Sequence, residues 1–140
     1  MQLLIGTDSE QAAVIRIANE MHQADSSKPL LVLIGSAGSF SFKPRPSTIL
    51  VPGMLPGVIA AVPSLEEFGI ASRLASELGL PGCYDGTVLE LAEQWLQALE
   101  PSLHAEIDIR VAGSKDLLRS AEELGRRQGL PVSLAPTNER

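Results

Sequence analysis

The segment Pro29-Leu30-Leu31-Val32-Leu33-Ile34 is apolar without alternation and ends at Gly35. A strand with one wet face alternates polar and apolar residues. A strand covered on both faces reads instead as a continuous apolar run, which is the pattern of a parallel sheet between helical layers. Upstream, Leu3-Leu4-Ile5 runs into Gly6, and Val14, Ile17, Ala18 and Met21 then follow at the i, i+3, i+4, i+7 spacing of one helical face. The chain therefore begins with a β-α-β unit, whose crossover is right-handed.

The alternation continues. Ile70 to Ala75 reads as a third strand, Gly79 to Gly86 as a turn-rich loop, and Val88, Leu91, Ala92, Trp95, Leu96 and Leu99 as the core face of a helix. Glu106 to Ala112 alternates, with Ile107, Ile109 and Val111 on one face and Asp108 and Arg110 on the other. Leu117, Leu118, Ala121 and Leu124 form a helix stripe closed by Gly129, and Leu130 to Leu134 is a last strand. Between the second and third strands, Pro44, Pro46, Pro52 and Pro56 exclude a long helix or a central strand. That stretch is expected to be an ordered insertion with a short edge strand at Thr48-Ile49-Leu50-Val51, followed by a proline-kinked helix from Gly57 to Phe68 that Gly69 stops. At 140 residues the chain holds one core, expected over 1–135 as a single nucleotide-binding-fold domain, with 136–140 frayed.

A chain with 44% hydrophobic and 20% charged residues is not a disordered one. Its net charge of −6 repels phosphate backbones and anionic lipid, and no basic patch offsets it, so neither nucleic acid nor membrane is an expected partner. Cys83, the single cysteine, excludes an internal disulfide and thiolate metal sites within one chain. His22 and His104 have no companions at ligand spacing, so no metal site is assigned. The N-terminus lacks a signal-peptide pattern and no run reaches membrane-spanning length; a cytoplasmic protein is expected.

In open parallel α/β sheets ligands bind beyond the carboxyl ends of the strands. The loops to read are Gly6 to Glu10, Gly35 to Ser39, Gly79 to Gly86 and Gly113 to Asp116. The first has the strand-turn-helix setting of a phosphate cradle but a single glycine. Gly82-Cys83-Tyr84-Asp85-Gly86, Val111-Ala112-Gly113-Ser114-Lys115-Asp116-Leu117-Leu118 and Gln128-Gly129-Leu130-Pro131-Val132-Ser133-Leu134 together resemble the NAD(P)-binding domain of the ferredoxin–NADP reductase family, especially members like the electron-transfer subunit of dihydroorotate dehydrogenase. The resemblance spans nearly the whole chain. It implies a Rossmann-like three-layer α/β sandwich of about five parallel strands in the order 3-2-1-4-5. It also implies NAD(P) as the cofactor and a flavoprotein or iron–sulfur partner. The residues carried over to cofactor binding are Gly6, Thr7, Ser9, Ser36, Ser39, Gly82, Gly113 and Ser114.

The departures bear on function. Thr7, Asp8 and Glu10 stand where the family's first loop has glycine, and the resemblance puts the carboxylates of Asp8 and Glu10 at the phosphate position. Asp8 or Ser9 can cap the helix that follows, and Thr7…Glu10 or Asp8…Gln11 is spaced as a capping box. Ala112 stands where the family has the cysteine near the nicotinamide, and Ser114 where it has proline, so no catalytic residue is assigned. The sequence carries neither the family's flavin barrel ahead of this domain nor its cysteine-rich module behind. Two readings stay open: a degenerate, non-catalytic binding or assembly module linked to electron transfer, and an NAD(P)-binding oxidoreductase component that uses a flavin on a separate subunit. Lys43 and Arg45 either supply charge for a phosphate or decorate a solvated edge; Cys83 is either a packing residue or a reactive thiol. The polar stripe of Asp108 and Arg110 leaves three readings open, a paired buried network, an exposed strand end and a partner surface; the expectation is incomplete cover filled by another subunit, compatible with a homodimer.

Overall fold

The computed structural model describes residues 1–7, 10–99, 101–104, 106–113 and 115–134. In chain order the elements are β1 (Gln2–Thr7), α1 (Gln11–Ala24), β2 (Leu30–Ser36), β3 (Arg45–Pro46), β4 (Ala60–Ala61), α2 (Pro63–Glu66), β5 (Ala71–Ser76), β6 (Tyr84–Asp85), α3 (Val88–Ala98), α4 (Pro101–His104), β7 (Asp108–Ala112), α5 (Lys115–Gln128) and β8 (Val132–Leu134). The main sheet is parallel and six-stranded, in the order β6-β5-β2-β1-β7-β8. Without the short edge strand β6 this is the 3-2-1-4-5 arrangement that the resemblance implies. The loop expected from Gly79 to Gly86 contains β6, which pairs Tyr84 with Ala75. Fraying at 136–140 falls outside the described residues.

Strand alternation sends two cores to opposite faces. On one, Leu3, Ile5, Leu31, Leu33, Ile109 and Val111 meet Leu91, Trp95 and Leu96 of α3 and Ala121 and Leu124 of α5. On the other, Leu4, Val32, Ile34 and Leu74 meet Val14, Ile17 and Ala18 of α1 and Leu65 of α2. The continuous apolar reading of β2 has its cause here: each of its faces meets a helix. Helix α3 starts with a capping box, in which Glu90 N–H donates to Thr87 Oγ1 (3.2 Å) and Thr87 N–H donates to Glu90 Oε1 (2.9 Å).

The insertion differs from the sequence expectation in two places. The helix expected from Gly57 to Phe68 is confined to Pro63–Glu66, because the preceding residues are extended: Ile59 and Ala60 N–H both donate to the Gly82 carbonyl, and Ala60–Ala61 pairs with Arg45–Pro46. Pro63, fixed in φ and without an N–H, starts the helix rather than kinking it. Gly69, at φ 77°, follows the helix as expected. The edge strand expected at Thr48–Val51 lies instead at Arg45–Pro46, since Ser47 Oγ accepts from Ile49 N–H (2.9 Å) and turns the chain there. Three anchors hold the insertion: Glu66 accepts from Ser47 Oγ and Thr48 N–H, Arg73 Nη2 donates to the Ile49 carbonyl (2.6 Å), and Trp95 Nε1 donates to the Pro52 carbonyl (2.9 Å). Arg73 is buried at 6% exposure; desolvation lowers its pKa, and nearby Glu66 opposes that shift.

Candidate functional site

The carboxyl ends of β2, β1 and β7 lie side by side, with Thr7 opposite Gly35 and Gly6 flanked by Ile34 and Ala112. Thr7, Ser36 and Gly113 therefore share one edge of the sheet, where a parallel α/β protein binds its ligand. Ser9 and Ser114 lie outside the described residues, as does Asp8.

The glycines at this edge are filled from inside. A Cβ on Gly6 would collide with Val14 Cγ2 of α1, one on Gly35 would lie 2.7 Å from Val88 Cβ of α3, and one on Gly113 would lie 2.8 Å from Leu117 Cδ2 of α5. Each admits a helix side chain to the strand end. Gly82 stands apart from this trio: it sits at φ 77°, and its carbonyl holds Ile59 and Ala60 of the insertion. The two serines after β2 are joined in one turn, Ser36 Oγ accepting from Gly38 N–H (3.1 Å) and donating to the Ser39 carbonyl (3.3 Å).

One contact escaped the sequence reading. Gln11, the first residue of α1 and 5% exposed, accepts from both Ser41 N–H (2.8 Å) and Ser41 Oγ (3.1 Å). Phe40 and Phe42 flank that serine with ring centroids 5.2 Å apart and pack against the α1-face core. The loop after β2 is thus bound to the first turn of α1. Its apolar-polar-apolar triplet is a local sign of packing, but the partner lies 30 residues away, beyond local pattern. Glu10 occupies the N-cap position of α1 and makes no side-chain cap bond. The capping box from Thr7 to Glu10 is therefore not formed; the alternative from Asp8 falls outside the described residues.

Lys43 and Arg45 are exposed, Arg45 in β3 opposite Ala61. Cys83 is half-buried against the α1-face core, and burial raises its thiol pKa. That makes it a packing residue with little thiolate at neutral pH. Among the described residues no group of three or more His, Cys, Asp or Glu is placed to hold a metal ion, and no helix is long and apolar enough to cross a membrane.

No protein-family model matches the chain, and no curated protein matches it. Among solved structures, the chain is similar to a ferredoxin reductase in carbazole 1,9a-dioxygenase, solved in its FAD apo form, with a TM-score of 0.56 and 17% identity. The fold is ferredoxin reductase-like. The likeness covers 95% of this chain and 34% of that one, so the reductase-like domain spans about a third of the solved reductase's length.

Proposed function

We propose that this reductase-like domain is a non-catalytic binding or assembly module linked to electron transfer, a degenerate relative of NAD(P)-binding domains such as that of the dihydroorotate dehydrogenase electron-transfer subunit. The observation that carries this reading is the state of the carboxyl edge. Val14, Val88 and Leu117 occupy the space beside Gly6, Gly35 and Gly113, and the Gln11–Ser41 bonds hold the loop after β2 against the start of α1. A dinucleotide pyrophosphate needs glycine backbone for close approach, and a packing role for these three glycines supports a reading in which they do not serve one. Buried Ala112 has no thiol to place beside a nicotinamide. The partner on this reading is a flavoprotein or iron–sulfur protein.

The second reading, an NAD(P)-binding component that uses a flavin on another subunit, is favoured by one observation: Thr7, Ser36 and Gly113 do share the edge where such a fold binds its cofactor. Thermal unfolding with NADH, NADPH, NAD, AMP and FAD separates the two, because a ligand of the folded state stabilises it by RT ln(1 + [L]/Kd). The first reading expects no shift at millimolar nucleotide. A rise in Tm that grows with pyridine nucleotide concentration overturns it and establishes the second.

A further inference from the structure

Among the described residues Leu50 is the most exposed large apolar side chain, at 86%, and the structure holds it there. The backbone is pinned on either side of it: Arg73 Nη2 donates to the Ile49 carbonyl and Trp95 Nε1 to the Pro52 carbonyl, while the neighbouring Val51 is buried in the α3-face core. A leucine on a slack loop folds back over apolar surface. One fixed between two such anchors cannot do so without breaking them. Its contact with water is therefore unfavourable until something covers it.

A hollow of matching character lies next to it. At the amino ends of the strands, a depression lined by Lys28, Leu50, Val51 and Ile70 adjoins a second one across Met1 and Pro52. The second has a volume of about 150 Å³, with buried Trp95 and Ile107 at its base and Leu99, Leu103 and Glu106 around it. Trp95 Nε1 already donates to Pro52, so the hollow presents apolar surface with one carboxylate among its lining residues. A space of this size and lining takes an apolar group about as large as a leucine side chain. A projection and a hollow side by side on one surface suit a twofold axis, under which the projection of each copy meets the hollow of the other. Charge agrees with that rotation. Lys28 stands on the side of Leu50 and Glu106 on the side of the hollow, so opposite charges approach twice. Lys28 also acts on Asp25 of its own chain, both of them in water, and the twofold adds the second carboxylate. We infer that this amino-end surface binds a second copy of the chain, with Leu50 of one protomer seated in the Trp95–Leu103 hollow of its partner and the reverse. The surface is on the opposite edge from the nucleotide position and does not depend on the reading given to that position.

Sedimentation equilibrium of the full chain from micromolar to millimolar concentration tests this, with the emission of Trp95 followed over the same range. The expected result is a monomer–dimer equilibrium in which dimer formation moves Trp95 emission to shorter wavelength, as leucine replaces water over the indole. Leu50→Glu should raise the dissociation constant about a hundredfold or more, since the twofold removes the contact from both copies and each buried leucine contributes about tenfold or more. Leu103→Glu, at the other half of the contact, should act in the same direction. Both positions are exposed, and circular dichroism like the parent's checks that the variants fold. Leu78→Glu, at an exposed leucine beyond the carboxyl end of β5, controls for general apolar association and should leave the dimer intact. A chain that stays monomeric at millimolar concentration overturns the inference. So does a dimer that survives Leu50→Glu, one that Leu78→Glu weakens equally, or one that forms with no change in Trp95 emission.

Discussion

Replacing Gly6 by alanine tests whether the strand-end glycines serve packing or a ligand. The new Cβ meets Val14 Cγ2 and lies 3.3 Å from the Ala112 carbonyl, between a helix and a neighbouring strand. Helix α1 cannot withdraw without parting Ile17 and Ala18 from the sheet. Overpacking of this kind costs about 1–3 kcal/mol, against which the stiffer unfolded chain of alanine returns about 0.4–1 kcal/mol. A net loss of about 1–2 kcal/mol, and a fall in Tm of roughly 3–10 °C, should follow. The assay is urea unfolding followed by circular dichroism and by fluorescence of Trp95, the single tryptophan. Val14→Ala alone also destabilises by leaving a cavity, but in the double variant the alanine methyl enters the space that the valine vacates. The double loss should then be smaller than the sum of the single losses by about 1 kcal/mol, as for residues in direct contact. Additive losses, or a Gly6→Ala chain as stable as the parent that has lost affinity for a nucleotide, would refute the packing argument.

Arg73→Ala removes the donors to the Ser72 and Ile49 carbonyls and leaves a void under the insertion, so a loss of about 2–4 kcal/mol is expected, with early proteolysis between residues 43 and 58. Proteolysis confined to the termini would contradict its anchoring role. Thr87→Ala breaks the capping box of α3 and should cost about 1 kcal/mol in denaturant unfolding; a change under a few tenths would show the cap to be dispensable. Burial raises the Cys83 pKa above its ordinary 9.0, so the folded state holds the thiol proton more tightly than the unfolded state. The stabilisation this represents is complete below the unfolded value and is lost as pH rises through the folded one. Alkylation of Cys83 at pH 8 should therefore be slower than that of a free thiol, and equal rates would refute its burial.

Most of the sheet was legible because its signals are local. The unbroken apolar run of β2, the helix stripe from Val14 to Met21 and the alternation of β7 each appear within a few neighbouring residues. The insertion was not legible because its conformation is set at a distance. Val58 and Ile59 carry helix-compatible spacing, yet two N–H groups there donate to the Gly82 carbonyl, more than twenty residues on in sequence. A hydrogen bond of that span leaves no trace in periodicity. The proline count correctly excluded a long element in this stretch, while the position of the short strand depended on the side chain of Ser47.

At the candidate site, residue type and residue role separate for the same reason. Gly6, Gly35 and Gly113 have the composition of a ligand edge, and composition alone cannot say which neighbour fills the missing Cβ. In this fold that neighbour is a helix side chain each time. Asp108 and Arg110 make the opposite case. Their polarity conflicts with a strand covered on both faces, and the conflict was visible in sequence because the rule it breaks is a local one. The structure resolves it along β7: on the α1 face Ala112 is buried with Val14 and Ile17, while Asp108 is exposed and Arg110 half-buried, so the charged pair stands where full cover would have required apolar residues. A residue that breaks the pattern of its own element reports on local cover more directly than one that fits a distant family motif, since the motif glycine has a packing role open to it and a charge on a strand face does not.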